Sequence, residues 1–94
     1  MNLEGLHPDE RDISLVTVFD GDGVVSAMRI LTGKTLKKHI TKAPAFLICV
    51  TGSVVFKNEK GTEQTMEPGD YIEIEPMVQH WVDGLMDSNL LLIK

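Results

Sequence analysis

The chain has 94 residues, of which 43% are hydrophobic and 24% charged, and its formal net charge is -5 at pH 7. This length predicts one domain, and the hydrophobic content argues against disorder of most of the chain. The negative charge makes nucleic acid and anionic membrane surfaces poor partners, and no apolar run approaches the roughly 20 residues of a membrane helix. With one cysteine, Cys49, and no visible secretory signal, we expect a cytoplasmic protein.

The first eleven residues mix charges with Pro8 and show no regular period. We expect residues 1–11 to form a flexible arm that lies across a partner subunit, and residues 12–94 to form a single domain. His7 belongs to this arm, and we expect its side chain to be exposed to solvent.

Two strands are predicted after the arm. Residues 14–19 are rich in β-branched and aromatic side chains, and residues 24–31 return after an Asp-Gly-Asp-Gly turn at residues 20–23. This turn resembles the start of an EF-hand loop. The twelfth position of that loop must be a bidentate carboxylate and is Leu31 here, so the pattern indicates a hairpin turn and excludes a calcium site.

Residues 33–45 are rich in lysine around His39 and have no clear period, which is typical of a solvated loop. Beyond them, apolar or alternating segments separated by glycine and proline turns predict six more strands. These are residues 46–50, 54–58, 62–66, 71–75, 80–82 and 88–93. About eight short strands at spacings of roughly 8–12 residues indicate a β-sandwich or barrel.

Alternation along these strands predicts which side chains face inward. Ile72 and Ile74 should be buried, whereas the neighbouring glutamates should face water. Cys49 should be a buried structural thiol pointing inward with Ala45 and Leu47. The opposite face of that strand (Phe46, Ile48 and Val50) and Trp81 are expected in a second layer or a subunit interface. We expect four methionines to fill the core: Met28, Met66, Met77 and Met86.

Two stretches resemble the sequence motifs of the cupin family. The first motif is a glycine, five residues, His-x-His, three or four residues, a glutamate, six residues and a glycine. Gly33, His39 and Gly52 match it, whereas Thr41 stands at the second histidine and Ala45 at the glutamate.

The second motif is a glycine, a strand, a Pro-x-Gly turn and a histidine. Gly69, Pro76 and His80 follow it, but Pro76 lies one place late, and Met77 stands where the family usually has glycine. The resemblance covers roughly residues 24–93 and implies an all-β, cupin-type jelly-roll barrel (a double-stranded β-helix). It also implies a homodimer formed by exchanged or paired strands, which agrees with a short chain and exposed sheet edges.

In metal-bearing cupins, three histidines and one glutamate bind a divalent cation, so the resemblance implies His39 and His80 as the remaining ligands. The metal would be zinc, iron, nickel or manganese. A bound metal normally needs at least three protein ligands, and examples of substitute ligands are Gln79, Asp83, Cys49 or a residue of the partner subunit. Three interpretations stay open: a degenerate metal site, a metal-free pocket whose imidazoles hydrogen-bond a small ligand, or structural histidines.

Loss of the glutamate makes the barrel interior more apolar, which is the usual character of a small-molecule site. The predicted lining is His39, Thr41, Ala45, Leu47, Ile72, Ile74, His80 and Val82. We expect a small cupin that binds a small molecule in the barrel or serves as a sensing or accessory module, and we assign no catalytic residue. The alternative is a metal-dependent cupin enzyme, of dioxygenase or isomerase type, that acts on a small oxygenated substrate.

Overall fold

The structure is a computed structural model that describes residues 1–7 and 11–94. The described residues form a short 3₁₀ helix, Leu3–Gly5, and nine β-strands. The strands are β1 (Ile13–Asp20), β2 (Val24–Ile30), β3 (Thr35–His39), β4 (Ala45–Thr51), β5 (Val54–Asn58), β6 (Glu63–Met66), β7 (Tyr71–Ile74), β8 (His80–Gly84) and β9 (Ser88–Ile93). No helix in this described part of the chain has the length and apolar character needed to cross a membrane.

The strands form two antiparallel sheets. The five-stranded sheet has the order β1-β2-β9-β4-β7, and the four-stranded sheet has the order β3-β8-β5-β6. Most neighbours in each sheet are distant in sequence, as in a jelly roll, where the chain crosses repeatedly from one sheet to the other. The predicted all-β jelly-roll architecture is confirmed.

The core lies between the two sheets and follows the predicted alternation. Leu47 and Cys49 from the five-stranded sheet are at most 1% exposed, and so is Val82 from the four-stranded sheet. Ile74 is buried in the same cluster and Ile72 packs against it. Cys49 is a buried free thiol, as predicted.

Two glycine turns hold the strands in register. Gly52, between β4 and β5, has a φ of 88°, and Gly69, before β7, has a φ of 95°. These left-handed values strongly favour glycine. A Cβ added at Gly52 would also overlap the Ser88 Oγ and the Asp87 carbonyl oxygen, whereas the space around Gly69 is open.

The prediction of a loop over residues 33–45 is wrong in its centre, where β3 pairs with β8. The register shifts between Leu36 and His39, which gives β3 an irregularity at its two lysines. Lys37 and Lys38 are both exposed, while Leu36 packs against the core. Because β3 has one inward apolar residue and a bulge, its sequence lacks the alternation of apolar and polar residues that predicts a strand.

The expectation of a solvent-exposed His7 is also wrong. Its side chain is 5% exposed, and its Nδ1 lies 2.7 Å from the Ser14 Oγ on β1. The Arg29 Nη1 donates a hydrogen bond to the His7 carbonyl oxygen at 3.0 Å. The division of the chain at residue 11 stays a prediction, because residues 8–10 lie outside the described residues.

Only two of the four methionines predicted in the core are there. Met28 and Met66 are buried, whereas Met77 and Met86 are more than half exposed. Met77 has a φ of 65°, so it occupies the left-handed region at the position where the cupin motif has glycine. This turn directs the Met77 side chain into solvent. The prediction that it fills the core was wrong because it rested on hydrophobicity alone.

Candidate functional site

The two histidines singled out in the sequence lie side by side in the structure. The pairing of β3 with β8 places His39 directly opposite His80. Their ring centroids are 4.1 Å apart, and the ring planes meet at 60°. On its other side His80 stacks on Phe56, with centroids 5.6 Å apart and an interplanar angle of 21°. The structure therefore brings together the two histidines that the motifs singled out, and their contact with a ligand or a metal stays a prediction.

The surroundings of His80 keep its imidazole neutral. The residue is 2% exposed, and this burial lowers the pKa of His80 below its ordinary value. The nearby His39 lowers the pKa of His80 further, and the backbone of Val78 opposes both effects more weakly. A buried neutral imidazole can accept or donate one hydrogen bond at each ring nitrogen, according to its tautomer.

His39 is half-buried, and a backbone contact orients its ring. Its Nδ1 lies 3.0 Å from the Lys37 carbonyl oxygen. A carbonyl oxygen can only accept, so the proton of neutral His39 lies on Nδ1 and the lone pair on Nε2. The Nε2 atom can therefore accept a hydrogen bond from a ligand, or donate one when the ring is protonated.

Two buried polar atoms near the predicted site have unused hydrogen-bonding capacity. Neither the His80 Nδ1 nor the Thr41 Oγ1 has a hydrogen-bond partner within residues 1–7 and 11–94. Nearly all buried polar atoms in proteins are paired, because leaving one unpaired costs about 1–3 kcal/mol. A small polar ligand or a water molecule would satisfy either atom.

A cleft of about 550 Å³ lies beside β3 and reaches His39. Its lining is Asp12, Ile13, Thr35, Leu36, Lys37, Lys38 and His39. This volume falls within the range of about 300–1,000 Å³ that is usual for small-molecule sites. The sequence interpretation missed Ile13 and Leu36 as lining residues. The signal for Leu36 was the polar-apolar-polar triplet Thr35-Leu36-Lys37, which the neighbouring lysines obscured.

Solved structures similar to this chain share its whole architecture. A cupin superfamily protein from Desulfitobacterium hafniense superposes with a TM-score of 0.85 at 13% identity, over 98% of this chain and 84% of its own. An RmlC-like cupin from Shewanella frigidimarina superposes with a TM-score of 0.78 at 14% identity, over 87% of this chain and 74% of its own. KdgF from a Halomonas species superposes with a TM-score of 0.82 at 21% identity, over 99% of this chain and 89% of its own. The chain has the cupin fold. No family model and no curated protein matches its sequence.

Most of the cupin barrel lining predicted by alternation is packed core. Ala45, Leu47, Ile74 and Val82 belong to the buried hydrophobic cluster. Thr41 is 5% exposed, and its carbonyl oxygen accepts a hydrogen bond from the Met77 backbone N–H at 2.8 Å. The structure therefore places these residues inside the cupin barrel, and their contact with a ligand stays a prediction.

The described residues do not form a resident metal centre of the usual cupin kind. Within residues 1–7 and 11–94, no group of three or more histidine, cysteine, aspartate or glutamate side chains could hold a metal ion. Two imidazoles alone fall short of the three protein ligands that catalytic zinc sites have.

The residues proposed as substitute ligands have other surroundings. Asp83 accepts a hydrogen bond from the Thr35 Oγ1 at 2.6 Å and pairs with the Lys57 Nζ at 3.2 Å. These two contacts lower the pKa of Asp83, and the hydrogen bond from the Thr35 hydroxyl is the largest single cause. Gln79 is exposed. Burial raises the pKa of the Cys49 thiol, which disfavours the thiolate that binds metals.

Proposed function

We propose that this cupin is a binding or sensing module for a small molecule that carries an acidic group, and that the ligand occupies the cleft beside β3. The observation that supports the proposal is the position of His39. Its side chain lines the cleft, and its ring packs against the buried His80. The ligand would therefore meet an oriented imidazole in the lining of a cleft of suitable volume.

The remaining lining supports a ligand with one apolar and one acidic part. Ile13 and Leu36 give the cleft an apolar surface, and both pack against the core. Lys37 lines the same cleft and carries a positive charge, whereas the Lys38 Nζ lies over the ring of Trp81. A carboxylate near Lys37 would also accept a hydrogen bond from a protonated His39.

The charge distribution along the chain points to the same ligand class. The protein carries a net charge of -5, yet four of its nine lysines and arginines lie within residues 34–42, around His39. Lys34 is partly offset by Asp12, 3.9 Å away, but this exposed pair is weak. Basic residues gathered around a cleft raise the local concentration of small anions.

A titration followed by ¹⁵N NMR tests the proposal with two probes of nearly the same shape, phenylacetate and the uncharged phenylacetamide. We expect phenylacetate to shift the amide signals of Ile13, Leu36 and His39 at millimolar concentration, as suits a ligand of about ten heavy atoms. Phenylacetamide should shift them much less. Equal shifts with both probes would contradict the acidic ligand class, and shifts confined to other regions would contradict the cleft.

Three variants test whether phenylacetate binds in the cleft beside β3. His39→Ala should abolish the phenylacetate shifts, and Lys37→Gln should weaken binding several-fold. Lys60→Gln is the matched control, since Lys60 is an exposed lysine paired with Glu75 at 2.7 Å and is not part of the cleft lining. A loss of affinity in Lys60→Gln as large as in Lys37→Gln would mean that only the overall charge matters.

The alternative from the sequence, a metal-dependent enzyme of dioxygenase or isomerase type, has less support, because the described residues place only two suitable donors together. Elemental analysis of protein purified without a histidine tag tests it. A stoichiometric transition metal that disappears in His39→Ala and in His80→Ala would favour that enzyme over the proposed binding module.

A further inference from the structure

The cleft beside β3 carries opposite charges at its two ends. Asp12 lines the cleft where β3 begins, since its carboxylate lies 3.9 Å from the Nζ of Lys34, the residue before that strand. The Asp12 carbonyl oxygen also accepts a hydrogen bond from the Leu31 N–H at 3.0 Å, which fixes its backbone beside the same turn. Lys37 and His39 line the cleft further along β3. The acidic end and the basic end are therefore separated along one strand.

Two side chains that line the acidic end present acceptors to a ligand. The Asp12 carboxylate accepts hydrogen bonds, and its exposed pair with Lys34 is too long and too solvated to neutralise it. The Thr35 hydroxyl donates its hydrogen to Asp83 at 2.6 Å. A ligand that reaches the Thr35 oxygen therefore finds only an acceptor. Both groups suit a cationic donor such as an ammonium group.

We infer that the ligand of this cleft is a zwitterion, in which an ammonium group contacts Asp12 and Thr35 while the carboxylate contacts Lys37 and His39. The inference rests on the proposed function, which supplies the acidic group, and it adds the second charge. Complementary charges at both ends would also fix the direction in which the ligand lies, which a carboxylate alone does not.

The length of the cleft selects among zwitterions. Thr35 and His39 are four residues apart on an extended strand, and Thr35 and Lys37 are two apart, so the two charges of the ligand should lie roughly 7–13 Å from each other. An α-amino acid is too short, because its ammonium and carboxylate share one carbon atom. Leu36 lies between the two ends, and it packs against the core together with Ile13. The expected ligand is an amino acid whose charged groups are separated by a short apolar spacer.

Two probes in a titration followed by ¹⁵N NMR test this class. These are 4-(aminomethyl)phenylacetate, a zwitterion, and 4-(hydroxymethyl)phenylacetate, which has a hydroxyl in place of the ammonium. We expect the zwitterion to bind about three- to five-fold more tightly, as suits one partly exposed charge pair. Equal affinities, with the amide signals of Ile13, Leu36 and His39 still shifting, would overturn the zwitterion and leave the acidic ligand class in place. If neither probe shifts these signals, both the inference and the proposed function are wrong.

Substitutions at the acidic end should change the preference in opposite directions. Asp12→Asn should remove the preference for the zwitterion and leave the affinity for the hydroxymethyl probe unchanged. Lys34→Gln should increase the preference, because it frees the Asp12 carboxylate from its neighbouring cation. A preference that persists in Asp12→Asn, or that falls in Lys34→Gln, would contradict the assigned contact.

Asp20→Asn is the matched control. Asp20 is exposed like Asp12 and removes the same charge, but it ends β1, whereas Asp12 directly precedes that strand. Asp20 is not part of the cleft lining. The preference for the zwitterion should be unchanged in this variant. A loss as large as in Asp12→Asn would mean that the net charge of the protein, and not the Asp12 end of the cleft, selects the ligand.

Discussion

At the scale of single residues, His80 is a buried titratable group in the core between the two sheets. The imidazole is buried between Phe56 and His39, and the neighbouring His39 disfavours a proton on the ring. The protonated form therefore loses more hydration than it gains in contacts, and the pKa of His80 falls below its ordinary value. This shift links the stability of the fold to pH.

The number of protons bound by the folded and the unfolded chain determines whether the free energy of unfolding rises or falls with pH. In the unfolded chain the pKa of His80 is close to 6.5, and in the folded chain it is lower. Between these two values the unfolded state binds more protons, so the free energy of unfolding should fall as the pH decreases below about 6.5. Above pH 7 both states are neutral at this residue and the contribution is constant.

Urea unfolding of the natural chain and of His80→Gln at pH 7.5, 6.5 and 5.5 measures this effect. The natural chain should lose stability over this range, and the variant should lose less. Asp83 and Asp87 also have lowered pKa values, but their contribution is lost only near or below pH 4 and does not interfere. Equal pH dependence in both proteins would show that His80 is not responsible.

The sequence revealed the histidine pair but not its surroundings. The sequence placed His39 before the predicted strand at residues 46–50 and His80 at the start of the predicted strand at residues 80–82, and the jelly roll brings the two together. It did not reveal Phe56, because alternation tells which side chains point inward but not which of them stack across neighbouring strands. The neutral state of His80 depends on these three-dimensional neighbours and so required the structure.

At the scale of elements, β3 is a strand whose inward-facing positions could not be predicted from its sequence. Its inward positions are Leu36 and His39, three residues apart, because the register shifts at the two lysines between them. Strict alternation would have placed Lys38 inward with Leu36. In the structure the Lys38 Nζ lies 4.9 Å from the centroid of Trp81, on the other side of β8 from His80. Bulges of this kind are set by pairing with the neighbouring strand, which the sequence of β3 does not contain.

The turn glycines were easier to predict. They allow backbone strain to be compared with the steric overlap of an added Cβ. Gly52 and Gly69 have similar positive φ values, but only Gly52 lies against backbone and side-chain atoms of residues 87 and 88. Gly69→Ala should therefore destabilise the fold by about 1 kcal/mol through backbone strain alone. Gly52→Ala should cost at least about 2 kcal/mol more, because the turn must also move away from Ser88.

Chemical denaturation of the two alanine variants measures this difference directly. The comparison controls for glycine itself, because both substitutions remove the same conformational freedom from the unfolded chain. Variants that differ by less than about 0.5 kcal/mol would show that the Gly52 turn relaxes without cost.

At the scale of the whole molecule, the candidate site depends on both sheets. His39 and His80 come from the four-stranded sheet, whereas Ala45 lies on β4 of the five-stranded sheet and points into the same core. The fold was predictable, because glycine turns, short strands and both histidines agreed in register. The ligand was not, because two of the four motif positions carry threonine and alanine. Threonine and alanine are compatible with a packed interior and equally with an interior that binds a ligand.

This arrangement predicts that a metal site of the kind found in metal-bearing cupins can be built in this chain. Thr41→His/Ala45→Glu would place three imidazoles and one carboxylate at the positions that the cupin motif assigns to metal ligands. We expect the double variant to bind one equivalent of Co²⁺, detected by its visible absorption, and the natural chain to bind much less. Without metal the variant should be less stable than the natural chain, since Ala45 is 3% exposed and an unpaired carboxylate there is costly.

Added Co²⁺ should then raise the melting temperature of the double variant, because the metal binds only the folded state. Thr41→Gln/Ala45→Gln is the control, since it adds side chains of similar size and polarity without an imidazole or a carboxylate. A cobalt spectrum equally strong in the natural chain would mean that His39 and His80 already belong to a metal site. A folded double variant that binds no cobalt would mean that residues 41 and 45 do not converge on the histidine pair.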